Sequence, residues 1–258
     1  NLILTPGTQG ALFLAAGSNI LPGDKVAIVE PDYFANRKMV EFFHGVLVPI
    51  PMQYENRIGS AGIDLEILEK AFIDGVKLFI FSNPNNPVGC IYSYEEICGI
   101  ASLAKKYDVT LIVDELYSRQ IYPGMTYTHL CAQKEIPDNL VTIMGPSKTE
   151  SLSGYRLGAA FGNAEIIERM ESSRLLCPLG AADIIRPYLP PGLMNRTAGW
   201  RPGRQSIRKY MMQLWKNWQA YRGFMPDRQK AEAIYLSGFL NWIYHFIILS
   251  GLSERWLM

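Results

Sequence analysis

The chain is poor in the residues that build metal centres and covalent cross-links. Its four cysteines, Cys90, Cys98, Cys131 and Cys177, form no C-x-x-C pair. Neither a zinc site nor a disulfide framework is indicated, and a reducing cytoplasm is the expected compartment. The three histidines, His44, His129 and His245, stand too far apart in sequence to propose a metal cluster. No G-x-x-x-x-G-K-[ST] stretch occurs, which argues against a nucleotide hydrolase even though "TLIVDE" (110–115) ends an apolar run in two carboxylates. No signal peptide is visible. The chain opens on Asn1 rather than Met, so further residues are expected upstream.

What is present suits a globular protein of one large or two smaller domains: 258 residues, 48% hydrophobic and 19% charged. The net charge of +1 hides an asymmetry. Residues 1–173 carry 13 Lys/Arg against 20 Asp/Glu, whereas residues 174–258 carry 12 against 4. All five tryptophans fall in the second part. The shift predicts two regions, 1–173 and an atypical basic, Trp-rich tail at 174–258.

In the first region, apolar β-branched runs alternate with helix-like stretches. "KVAIVE" (25–30), "VLVPI" (46–50), "KLFIF" (77–81), "TLIVDE" (110–115) and "LVTIMG" (140–145) read as strands. "TQGALFLAAGSNI", "ANRKMVEFFH", "DLEILEKAFI" and "SYEEICGIASLAKKYD" read as helices. In the last, Ile97, Ile100, Leu103, Ala104 and Tyr107 share one face, and Ser93 with Glu96 predicts a capping box. Strands apolar on both sides, alternating with amphipathic helices, predict an α/β fold with a mainly parallel sheet flanked by helices. The tail gives no such pattern. Its run from Ala233 to Ser253 contains no Asp, Glu, Lys or Arg and is long enough to span a bilayer, but Asn241, His245 and several Ser and Gly dilute it. A buried or disordered segment is the expectation there, and no membrane partner.

In a parallel α/β sheet, ligands bind beyond the C-terminal strand ends. Asn86 follows "KLFIF", Asp114 and Tyr117 close "TLIVDELY", and Ser147 and Lys148 follow "LVTIMGP". "TPGTQGAL" sets Gly7, Thr8 and Gln9 at a predicted helix start, a natural phosphate cradle. Each residue alone has an ordinary reading. Asp114 reads equally as a helix cap, Lys148 as a solvated lysine, and the Asn-Pro pairs of "SNPNNPVG" (82–89) as turn punctuation.

The order and spacing of these residues resemble the fold-type-I pyridoxal-phosphate aminotransferases of class I and II over residues 1–173. The motifs stand as "GTQGAL", "PDYF", "NPNNPVG", "DELY" and "SKTESLSGYRLG", the last with an arginine eight positions after its lysine. The resemblance implies pyridoxal 5'-phosphate as cofactor, Lys148 as the lysine that forms the aldimine, and Asp114 as the carboxylate against the ring nitrogen. It implies that Tyr117 and Asn86 bond the ring's phenolic oxygen and that Tyr33 stacks on the ring. Gly7, Thr8, Gln9, Ser147 and Arg156 would bind the phosphate. It also implies that the lysine amine is desolvated, that amino acid and keto acid are the substrates, and that two copies form a homodimer. No nucleic acid is expected.

Three departures shape the expectation. Gly145 stands three residues before Lys148, where the resemblance implies a phosphate-binding hydroxyl, and Ser147 is a candidate substitute. The resemblance implies a stretch before the phosphate loop, including an N-terminal arm, whereas this sequence starts almost at the loop. From 174 the similarity stops, with no recognisable arginine for the substrate carboxylate; a reading-frame error or a divergent small domain is expected, and turnover weaker than cofactor binding. The rival readings are a lyase, cyclase or decarboxylase on the same frame, and a non-catalytic cofactor-binding or regulatory module whose basic tail binds nucleic acid or a membrane.

Overall fold

The computed structural model describes residues 1–54, 61–149 and 151–176. The basic tail, its tryptophans and the apolar run at 233–253 lie outside the described residues. Eight strands form one sheet in the order β1-β8-β7-β6-β5-β2-β3-β4. They are β1 (Leu2–Pro6), β2 (Lys25–Glu30), β3 (Val46–Gln53), β4 (Gly62–Ile63), β5 (Val76–Ser82), β6 (Thr110–Asp114), β7 (Leu140–Met144) and β8 (Leu157–Gly162). The helices are α1 (Gly7–Gly17), α2 (Phe34–Phe42), α3 (Leu65–Ile73), α4 (Tyr94–Tyr107), α5 (Pro146–Thr149) and α6 (Ala164–Leu176).

The five central strands from β7 to β3 run parallel, while β1/β8, β7/β8 and β3/β4 pair antiparallel. Alternate side chains enter two cores. Phe79, Phe81, Leu111 and Val113 face α3 and α4, whereas Leu78, Ile80, Ile112 and Val141 face α1, α2 and α6. Both faces being covered explains the near-continuous apolar runs. The mainly parallel, helix-flanked architecture is the one expected.

Helix α4 starts as its sequence dictates. Ser93 Oγ accepts from Glu96 N at 3.1 Å, and Glu96 Oε2 accepts from Ser93 N at 2.7 Å, closing the capping box. Ile97, Ile100 and Ala104 are fully buried, with Leu103 and Tyr107 packed on the same core. Helix α6 continues through residue 174 to Leu176.

Three strands escape sequence reading: the two-residue β4, and the longer β8 and β1. β8, "LGAAFG", lacks β-branched residues, yet all six of its residues are buried. Packing chooses its composition. A Cβ on Gly158 would meet the Gly7 carbonyl carbon at 2.3 Å, so only glycine lets the start of α1 approach the strand. β1 is an edge strand, paired from Leu2↔Phe161 to Pro6↔Leu157, and its proline sits where an edge tolerates it.

This topology brings the predicted residues together. β5, β6 and β7 end at one edge of the sheet in Ser82, Asp114 and Met144. β8 runs the opposite way, so its first residue returns to that edge. Arg156, just before β8, therefore lies near Lys148, just after β7. β1, antiparallel to β8, also ends there and delivers Gly7.

Candidate functional site

Nine of the ten predicted residues line a single cavity of about 200 Å³: Thr8, Gln9, Tyr33, Asn86, Asp114, Tyr117, Ser147, Lys148 and Arg156. Gly7 lies just beneath. A Cβ there would fall 2.4 Å from Arg156 Nη2, and its φ of +76° belongs to the left-handed region. The guanidinium lies over the first residue of α1, where helix N–H groups have no intrahelical acceptor.

Asp114 ends β6 opposite Ser82 of β5. It is buried, and burial pushes its carboxyl up to about 6; the nearby Glu115 charge adds to the rise, and a 3.0 Å bond from Leu116 N opposes it. Among the described residues no cation pairs with it. A buried carboxylate that opens on a cavity with no cationic partner is set to receive a charged N–H donor. Burial, and then the Asp114 charge, hold the phenols of Tyr33 and Tyr117 above the usual tyrosine range. Tyr33 Oη donates to Gln9 Oε1 at 3.1 Å, linking the α2 entry to the α1 start.

The stretch "SNPNNPVG" proves to be both a turn and a wall of the cavity. Asn83 and Asn85 build the turn. Asn83 N donates to Asp114 O at 3.0 Å and its Oδ1 accepts from Tyr92 N at 3.3 Å, while Asn85 Oδ1 accepts from Val88 N at 3.1 Å. Among the described residues Asn86 bonds only through its backbone N–H, to Ser82 Oγ at 3.2 Å, which leaves its side-chain amide for the cavity.

Lys148 sits in the last turn of the short α5. Its carbonyl accepts from Gln120 Nε2 at 2.8 Å. The side chain is exposed at the cavity mouth, not desolvated as expected. Arg156, also exposed, spends one donor on Ser153 O at 3.0 Å, and among the described residues the rest of its fork has no acceptor.

The structure adds residues that the sequence reading left out. Ser82 and Ser153 line the cavity. Asp32, inside the quoted "PDYF", encloses its carboxylate beneath Ser82. The signal for Ser82 was its place as the last residue of a central strand. For Asp32 it was a carboxylate beside an aromatic at a strand end.

The sequence model of the family "Aminotransferase class I and II" matches residues 1–176. The chain belongs to this family. A solved aspartate aminotransferase from Rhodobacter sphaeroides superposes with a TM-score of 0.68 at 59% identity, over 70% of this chain and 47% of that one. The aspartate aminotransferase of Sulfurisphaera tokodaii is 32% identical over 169 residues, which are 66% of this chain and 42% of that protein. Cystalysin from Treponema denticola, whose crystal structure contains pyridoxal 5'-phosphate, superposes with a TM-score of 0.65 at 26% identity over 71% of this chain and 47% of that one. This member of the aminotransferase class I and II family thus spans less than half the length of these relatives.

Proposed function

We propose that residues 1–176 form the cofactor-holding part of an aminotransferase that binds pyridoxal 5'-phosphate and moves an amino group between an amino acid and a keto acid. The observation that carries this reading is Asp114 and Lys148 opening into one cavity, the first buried with no cation paired to it among the described residues and the second at the mouth. The residues present fit the group. A carboxylate suits a protonated ring nitrogen, an amine suits an aldehyde, and free helix N–H groups with an arginine fork suit a phosphate.

When bound, pyridoxal phosphate supplies an aldehyde that amines condense with and a ring that takes up electrons from a substrate carbon. Asp114 would hold the proton on the ring nitrogen, and its raised carboxyl is stabilised as a carboxylate by that cation. Tyr117 and Asn86 would donate to the phenolic oxygen, and Tyr33 would cover one ring face. Gly7, Thr8, Gln9, Ser147 and Arg156 would bind the phosphate. Lys148 would supply the amine that condenses with the aldehyde, and the same amine would move the proton at the substrate α-carbon. A homodimer and a cytoplasmic location complete the proposal.

The 59% identity to an aspartate aminotransferase favours amino transfer, with aspartate the first substrate to try. Cystalysin and the C–S lyases share the frame at only 26% identity. The test begins with the full chain, pyridoxal phosphate and borohydride, followed by peptide mapping. Mass on Lys148 is expected, and a label on another lysine would overturn the assignment. Aspartate and a panel of amino acids are then added to unreduced protein. Release of the matching keto acid supports amino transfer, and release of ammonia and pyruvate from a sulfur amino acid supports lysis.

A further inference from the structure

We infer that Asp32 is a positioning residue that sets two walls of the cofactor cavity, Tyr33 and Asn86, through one half-buried carboxylate. The inference rests on the reading that pyridoxal phosphate occupies this cavity.

The hydrogen-bond directions are fixed by the donors. Oδ1 of Asp32 accepts from Tyr33 N at 2.6 Å, and Oδ2 accepts from Ser82 N at 3.0 Å. Asn36 Nδ2 reaches Oδ1 at 3.4 Å. Ser82 Oγ also bonds Oδ1. That hydroxyl accepts from Asn86 N at 3.2 Å, so its single proton points to Asp32. A chain therefore runs from Asn86 N–H through Ser82 to the carboxylate, and the same carboxylate ties down the backbone of Tyr33. Asp32 lies at the end of β2, Ser82 at the end of the neighbouring β5, and Asp114 at the end of β6 beyond it. No cation pairs with Asp32 among the described residues. The titratable groups facing it are Asp114, its neighbour Tyr33, and the buried Tyr92 below the 82–90 loop.

Burial, opposed by the bonds from Ser82 and Tyr33 and assisted by the Asp114 charge, lifts the Asp32 carboxyl to about 7. A structural carboxylate with that value weakens the fold above neutrality instead of strengthening it. The full acceptor set is explained if the carboxylate serves the cavity.

The test uses the full chain as wild type, Asp32→Asn, Ser82→Ala and the double variant. Pyridoxal phosphate affinity is measured between pH 6 and 9, with thermal unfolding of the cofactor-free protein alongside. Asp32→Asn is expected to weaken binding about tenfold at pH 8, the scale of a lost bond to a buried charge, without lowering the melting temperature. It should also flatten the pH dependence of affinity between 6 and 8. Ser82→Ala should weaken binding in the same direction, and the double variant should be no worse than Asp32→Asn. Unchanged affinity in Asp32→Asn overturns the inference. So does a fall in melting temperature that parallels the loss of affinity with the pH dependence intact. If Asp32→Asn does not fold, Ser82→Ala decides: reduced affinity supports the chain and wild-type affinity overturns it. Wild-type protein that binds no pyridoxal phosphate overturns the functional reading itself, and this inference with it.

Discussion

The Cβ that Gly145 lacks would stand 2.8 Å from Thr8 Cγ2 and 3.0 Å from the Leu157 carbonyl oxygen. The space for a side chain at 145 is already taken by the start of α1. A serine there overpacks a site that can yield only by moving Thr8 or β8. Gly145→Ser is expected to destabilise the protein by about 1–3 kcal/mol. Thr8→Ser removes the opposing methyl, so the double variant should recover part of that loss. Urea unfolding of the four proteins checks this. Additive effects would show that the two positions do not compete for one space.

Gly7 faces a different constraint from the same helix start. Its φ is +76°, and a Cβ would lie 2.4 Å from Arg156 Nη2 and 2.9 Å from Cζ. Gly7→Ala should cost about 1–2 kcal/mol through backbone strain, and should push the guanidinium off its place. Adding Arg156→Ala relieves the clash and leaves the strain. The expected pattern is weaker pyridoxal phosphate binding in both single variants, with the double no worse than Arg156→Ala. A Gly7→Ala protein that binds like wild type would show that the guanidinium position is immaterial.

Much of this site is readable from sequence because a parallel sheet sends its functional residues to strand ends. The strands β2, β5, β6 and β7 are apolar runs with clear stops, so Asn86, Asp114 and Lys148 stand out after them. β8 and β1 do not stand out. The glycines and alanines of β8 answer to the close approach of Gly7 and not to strand propensity, and β1 is a short edge run. The exposure of Lys148 was also not readable, because a helix of four residues at an open mouth has no periodic pattern to mark its faces. Asp32 was hidden because its role depends on Ser82, fifty residues away in sequence.

Beside Asp114, Glu115 is buried to 1% exposure, and its Oε2 bonds His129 Nδ1. His129 is held in turn by the edge of the Tyr127 ring, at 4.6 Å between centroids. Tyr127 donates to Asn83 O at 2.7 Å, so this cluster braces the loop that carries Asn86. His129→Ala strips the bond from a buried carboxyl and is expected to cost about 3 kcal/mol. His129→Asn, which keeps a donor on a shorter side chain, should recover part of it. Equal stability of wild type and His129→Ala in urea unfolding would mean that Glu115 finds another donor.

The last prediction concerns pH and the cofactor-free protein. The Asp114 carboxyl is raised by burial to about 6, from an ordinary value of 3.8. The folded state then holds this proton more tightly than the unfolded chain does. The stability it contributes is fully present below about pH 4 and is lost as pH rises through about 6, the reverse of a salt-bridged carboxylate. Asp114→Asn has no such titration. The stability of wild type minus that of the variant should therefore fall between pH 4 and pH 8 by on the order of 3 kcal/mol, and then level off. Asp32, near 7, titrates in both proteins, and because the Asp114 charge helps to raise it in wild type alone, its titration adds to the fall in the same direction. With saturating pyridoxal phosphate the fall should shrink, because a cation against the carboxylate stabilises its charged form. Urea unfolding of both proteins at pH 4.5, 6 and 8, with and without cofactor, measures it. A difference that stays flat with pH in the cofactor-free pair would mean that water or a protein group already solvates Asp114, and the cavity would not be the charge-accepting site proposed.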